Sequence, residues 1–205
     1  GAPAPEEGAE IGVLAVAGGP LRVDDATRDA DGRAALVATL VSGDGAAGPG
    51  LSLVSHRTRP DSPLPLGRAM RSRVLAGEQS NTSVIVETSS SPVILKVFRT
   101  LSPGENPDIV LQGALGAAGC DAVPRSVGHV AGTWAGPEGE PLLGHLAAAQ
   151  EYLPGSRDAW RVTLERAEAG YPFADEARAL GEVTAQIHAT LARTLPTQPA
   201  DPGLV

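Results

Sequence analysis

The run Val93-Ile94-Leu95-Lys96-Val97-Phe98 constrains this chain more than any other segment. Apolar residues, three of them β-branched, interrupted only by Lys96, fit a pleated strand. Side chains on a strand alternate, which puts Ile94, Lys96 and Phe98 on one face and Val93, Leu95 and Val97 on the other. Lys96 is the only lysine, against fifteen arginines. Arginine offers a flat fork, whereas lysine offers a compact point charge that fits between phosphate oxygens. A lone ammonium on a strand behind a polar loop therefore suits a nucleotide phosphate site. The plainer reading is an edge-strand lysine reaching out to water.

The flanking sequence extends the pattern. Arg73 to Ala76, Ser83 to Thr88 and Pro92 to Phe98 read as three consecutive strands, the last two joined as a hairpin by Ser89-Ser90-Ser91. Between the first two lies the polar loop Gly77-Glu78-Gln79-Ser80-Asn81-Thr82-Ser83. A helix follows the lysine strand. Asn106 can cap it, Pro107 suits its first position, Leu111, Ala114, Leu115 and Ala118 share a face, and Gly119 is placed to end it. Val123 to Val130 and Leu142 to Leu153 return to strand-like or mixed character. Beyond Pro154 the chain turns helical, over Arg157 to Ala169 and again over Ala174 to Leu195. In the latter, Leu180, Val183, Thr184, Ile187, Leu191 and Leu195 form a stripe of helical period.

The first seventy residues carry no motif that chemistry can be attached to. Ile11 to Ala17 and Ala34 to Val41 are the best strand candidates there, and Leu51 to Ser55 a weaker one. Asp-Gly and Gly-Asp-Gly supply turns between them, and Pro60-Asp61-Ser62-Pro63 with Pro65 reads as a linker. The expected organisation is thus a β-rich cap over 1–70, a second unit over 71–153 and a helical region over 154–205.

Composition removes several function classes. The net charge of −8 leaves no basic stripe for nucleic acid. No apolar run reaches the roughly 18 residues that a spanning helix needs, and the acidic, proline-rich start does not read as a secretory leader, so a cytoplasmic location is expected. Cys120 is the single cysteine and cannot form an internal disulfide. His56, His129, His145 and His188 are scattered, with no pair at zinc-ligand spacing.

Three blocks then carry a resemblance: Gly77 to Ser83, Ile94-Leu95-Lys96-Val97-Phe98-Arg99, and Pro103-Gly104-Glu105-Asn106-Pro107-Asp108. At this spacing the chain resembles the aminoglycoside-phosphotransferase and maltokinase-like sugar kinases over about residues 71 to 195. Leu180-Gly181, Thr184-Ala185, Ile187-His188 and Leu191-Ala192 match a helix of that group. The implied fold is α+β: a protein-kinase-like N-terminal lobe, an extra N-terminal β-rich cap, and the first helices of a C-terminal lobe. The implied ligands are ATP with Mg2+ and a small sugar.

Carried over by position, the loop Gly77 to Ser83 would cover the ATP phosphates, with Ser80, Asn81, Thr82 and Ser83 as donors. A polar hairpin turn is the plainer reading of the same residues. Lys96 would reach the α- and β-phosphates, oriented by a carboxylate from the following helix. Asp108 and Glu105 are the candidates, Asp108 favoured, although an acid in a first helical turn also simply complements the helix dipole. Gln150-Glu151-Tyr152-Leu153 resembles the hinge between kinase lobes, where the Glu151 carbonyl and the Leu153 amide would bond adenine.

Such kinases also need an aspartate base and metal-binding residues, in a His-Gly-Asp-type loop and a later Asp motif. The chain contains neither, so it resembles the front part of a kinase, expected to bind nucleotide weakly or not at all and to catalyse nothing by itself. Glucosamine is favoured over maltose as acceptor, because residues 1 to 70 lack the aromatic-basic signature of maltokinase caps. The exposed apolar face of the last helix leads to an expectation of self-association. The alternative from another class is a non-catalytic, kinase-like regulatory or interaction domain.

Overall fold

The computed structural model describes residues 9–43, 45–58, 69–75 and 80–198. The proposed linker around Pro60 to Pro65 and the loop residues Gly77, Glu78 and Gln79 lie outside them. The fold is mixed, with antiparallel sheets and helices. Its centre is a seven-stranded sheet in the order β3-β4-β8-β9-β7-β6-β5. These strands are β3 Gly45–Gly48, β4 Leu51–Arg57, β5 Ala69–Val74, β6 Asn81–Thr88, β7 Val93–Phe98, β8 Ser126–Ala135 and β9 Pro141–Glu151. Every neighbouring pair is antiparallel. A separate hairpin, β1 Glu10–Val16 with β2 Gly19–Asp24, precedes them. Through β3 and β4, part of the segment 1–70 continues the sheet that holds the lysine strand.

The lysine strand β7 lies between β9 and β6, so it is an interior strand and not an edge. Val93 and Leu95 point to one side, into a core with Val84, Val86, Val127 and Val130. What covers that core is helix α1, Ala30–Ser42, which packs Leu36, Val37 and Leu40 against it. Here the expectation from sequence is corrected: Ala34 to Val41 is helix, not strand. The Asp29 side chain caps the helix by accepting the Gly32 N–H at 2.7 Å. Gly43, at φ 73°, closes it in the left-handed conformation. Leu36, Val37 and Leu40 fall on one helical face, and that face finds the sheet.

Helix α2, Pro107–Ala117, covers the opposite face of the sheet, starting where the sequence placed it. The Asn106 side chain accepts the Asp108 N–H at 2.9 Å. At its far end Cys120 N–H bonds the Leu115 carbonyl and Gly119 N–H the Gly116 carbonyl, a paired closure of the last turn. Two further helices follow, α3 Ala159–Glu168 and α4 Ala174–Thr194. They leave Trp160, Leu164, Leu180 and Val183 exposed. Among the described residues no helix is long and apolar enough to cross a membrane.

Arg99, just past β7, ties the N-terminal segment to the sheet. Its guanidinium donates to Asp25 at 2.7 Å, to the Thr27 hydroxyl at 2.8 Å and to the Thr82 hydroxyl at 2.7 Å. Burial pushes the Asp25 carboxyl up, but the two hydrogen bonds from Thr27 and the Arg99 charge outweigh it and hold it below the ordinary value. Arg99→Met is therefore expected to cost about 2 kcal/mol, the scale of a charged hydrogen-bond set with partly buried partners. That corresponds to roughly 4–8 °C in melting temperature for a chain of this size, readable by calorimetry. Because the Asp25 value is depressed in the fold, its contribution is present above the ordinary carboxylate pKa. It disappears as pH falls through the folded value.

Candidate functional site

Cross-strand register assembles one face of the sheet into rows. Ser83 pairs with Lys96, Lys96 with Ala148, Ala148 with His129, and His129 with His56. Directly opposed residues point the same way, so these five side chains share a face. Two residues along, Ile94, Gln150 and Ser126 form the next row on that face. Helix α2 lies above them. Asp108, Ile109 and Gln112 fall at i, i+1 and i+4 and turn toward the sheet together.

Between helix and sheet is a cleft of about 290 Å³, lined by Ser83, Ile94, Lys96, Phe98, Asp108, Ile109, Gln112, Ala148 and Gln150 among others. The volume lies near the lower end of the range of about 300–1,000 Å³ usual for small-molecule sites. Ala148, a small residue in its floor, leaves space that a larger side chain would fill.

The Lys96 Nζ lies 3.3 Å from the Asp108 carboxylate. Lys96 is 38% exposed and Asp108 64%, so the pair is open to solvent. Such exposed pairs contribute about 0–1 kcal/mol, and stability accounts for little of this placement. At the other end of the cleft the Gln112 amide donates to the Gln150 side-chain oxygen at 2.6 Å. The cleft thus has a charged end, an amide end, and apolar walls in Ile94, Phe98 and Ile109.

The sequence-derived site residues divide. Lys96, Asp108 and Ser83 meet in the cleft. Asn81 and Thr82 belong to strand β6, which begins earlier than the sequence suggested. They are paired with Phe98 and Val97 rather than forming a loop over phosphates, and the Thr82 hydroxyl faces Arg99. Ser80 is exposed at the start of that strand, its carbonyl accepting the Arg99 N–H. Glu151 and Leu153 do not line the cleft, which reaches Gln150. The Glu151 carboxylate pairs with Arg125 at 3.2 Å, and this partner holds it below the ordinary carboxylate value. The Leu153 carbonyl accepts the Ser156 hydroxyl at 2.8 Å.

Sequence reading missed two features. Gln112 could have been found from its i+4 spacing to Asp108 once α2 was drawn. The second is a stack of three histidines beside the cleft. His56 and His129 are stacked, with ring centroids 4.9 Å apart and planes 24° apart, and His145 meets His129 edge-on at 4.8 Å. Burial first, then the charges of His145 and His56, lower the His129 pKa to about 4. Burial also lowers His145, partly opposed by Glu105.

Magnesium has no fitting donor set of its own among the described residues. Among the described residues no group of three or more His, Cys, Asp or Glu is arranged to hold a metal ion. Asp108, the carboxylate that lines the cleft, is turned to Lys96.

No family model matches the chain. Among solved structures it is similar to a glucosamine kinase in two crystal forms. Form A is 25% identical, with a TM-score of 0.49, over 88% of this chain and 39% of that one. Form B is 24% identical, with a TM-score of 0.49, over 85% of this chain and 40% of that one. The chain thus spans about two fifths of the length of these kinases.

Proposed function

We propose that this chain is the nucleotide-binding portion of an ATP-dependent sugar kinase. The observation that carries the reading is the Lys96–Asp108 pair at 3.3 Å, set in a cleft on an interior strand. A carboxylate that holds an ammonium in place without burying it leaves the cation's remaining donors free for a phosphate. Ser83, buried beside it, forms part of the cleft wall. The amides of Gln112 and Gln150, with Ile94 and Ile109 between, offer the mixture of flat apolar contact and edge hydrogen bonds that a purine takes.

In this reading the ATP arrives with its own Mg2+, and the chain's task is to place the phosphates and neutralise charge, the main contributions to phosphoryl transfer. The acceptor hydroxyl belongs to a sugar. The resemblance drawn from the sequence favours glucosamine over maltose, with acceptor binding and the catalytic base supplied by other residues of the whole enzyme.

The test is thermal. Mg-ATP at ten times its dissociation constant stabilises a binding protein by about 1.4 kcal/mol. Mg-ATP is expected to produce that rise, readable as a higher melting temperature, in the whole enzyme, since this chain by itself is expected to bind nucleotide weakly or not at all. Magnesium with inorganic sulfate at equal ionic strength should not. Equal melting temperatures in both would overturn the nucleotide reading and favour a non-catalytic interaction domain.

A second expectation concerns the helical face. Trp160 is 68% exposed, Leu180 57% and Leu164 44%, and large exposed apolar surface marks interaction sites. This chain is expected to self-associate, with a mass by light scattering that rises with concentration. A constant monomer mass up to about 100 μM, a range that covers ordinary weak association, would reject it.

A further inference from the structure

The first turn of α2 is held from outside the helix. Gly104 N–H bonds the Leu143 carbonyl at 2.8 Å, and Asn106 N–H donates to His145 Nδ1 at 2.9 Å. Gly144 permits this approach, because a side chain there would meet the Ser102 carbonyl at 2.4 Å. An amide donor opposite Nδ1 requires a lone pair on that nitrogen, so His145 is neutral with its proton on Nε2. Asn106 is the residue whose side chain caps α2 through the Asp108 amide. The link from the histidine to the cleft therefore runs His145, Asn106, Asp108, Lys96, through three polar contacts of 2.9, 2.9 and 3.3 Å.

We propose that His145 is a positioning residue, whose Nδ1 fixes the first turn of α2 and with it the Lys96–Asp108 pair, and that the histidine stack makes this setting sensitive to pH. The inference rests on the nucleotide reading for its consequence, though not for its geometry. Protonating Nδ1 turns the acceptor into a donor facing a donor, and the Asn106 contact must open. The groups facing His145 set where this happens. Glu105 favours the charged form; burial and a charge on His56 oppose it, and His129 is stacked against it edge-on. The folded value is lowered, so the contact is complete at neutral pH and is lost as pH falls below the ordinary imidazole range. The interior position of β9 keeps the imidazole itself in place, and the movable partner is the loop that enters α2.

The experiment compares wild type, His145→Asn and His145→Ala. Asn places a non-titrating oxygen where Nδ1 stood. Amide hydrogen exchange, corrected for intrinsic rates, reads the Asn106 and Ile109 protection at pH 7.0 and pH 5.0. Expected is a loss of at least tenfold on acidification in wild type, a flat profile in His145→Asn, and low protection at both pH values in His145→Ala. In parallel, the Mg-ATP dissociation constant should rise on acidification several-fold more in wild type than in His145→Asn, which cancels the titration of the nucleotide itself. Equal exchange profiles in wild type and His145→Asn overturn the proposal. If no protein binds Mg-ATP, the nucleotide reading fails, while the exchange data still decide whether His145 sets α2. If His145→Ala does not fold, the wild-type and His145→Asn comparison decides alone.

Discussion

Lys96→Met should lose the Mg-ATP-dependent rise in melting temperature while unfolding, without nucleotide, at nearly the wild-type temperature. Methionine keeps an unbranched stem of similar length along Ile94 and Phe98 and removes only the ammonium. The ion pair it deletes is solvent-open, 38% and 64% exposed, so its own contribution to stability is about 0–1 kcal/mol. A charge-assisted contact to phosphate is worth more, about 1.5–3 kcal/mol, which is roughly a tenfold to hundredfold loss of affinity. Lys96→Arg should fall between, because the charge survives but the fork does not fit a point-charge position. Asp108→Asn weakens binding by leaving the ammonium unoriented. Since Asp108 acts through Lys96, the double variant should bind no worse than Lys96→Met alone, a non-additivity that a double-mutant cycle reads directly. Equal rises in wild type and Lys96→Met would remove Lys96 from the phosphate site.

What sequence could show depended on how local the cause was. The β6–β7 hairpin and the start of α2 were legible because their signals sit next to each other: a serine turn between apolar runs, and Asn106-Pro107 before a periodic face. Ala34 to Val41, expected as strand, is part of helix α1, whose end signals, Asp29 and Gly43, are both present in the sequence; Val37, Thr39 and Val41 are β-branched, which favours strand locally. Tertiary packing decided the matter, since Leu36, Val37 and Leu40 reach the core only on a helix. The polar residues Asn81 and Thr82 looked like loop, and ladder pairing with β7 made them strand. The histidine stack was out of reach for a different reason. His56, His129 and His145 come from three strands, and only the β4–β8–β9 pairing, including a register shift between Val130 and Ala131, brings their rings together.

That pairing makes a second strong prediction. Gly128 sits opposite Arg57 at the end of the β4–β8 ladder, where the β8–β9 ladder shifts register between Ser126 and Gly128. A Cβ at this position would lie 2.4 Å from the His56 carbonyl oxygen and 3.2 Å from the Arg57 Cα. Both are backbone atoms, so neither can rotate away, and relief requires β4 to move off β8. Gly128→Ala is therefore expected to destabilise the protein by about 2–3 kcal/mol, at the upper end of overpacking costs. The melting temperature should drop by roughly 4–12 °C. Gly113→Ala is the matched comparison, since its added Cβ meets nothing within 4 Å and it lies inside α2. There the same methyl should be neutral or stabilising by up to about 1 kcal/mol, through helix propensity alone. A Gly128→Ala protein melting within about 1 °C of wild type, less than 1 kcal/mol by the same scaling, would mean that β4 does not lie against β8 as described. The His56–His129 stack, built on the adjacent rung, would then lose its support as well.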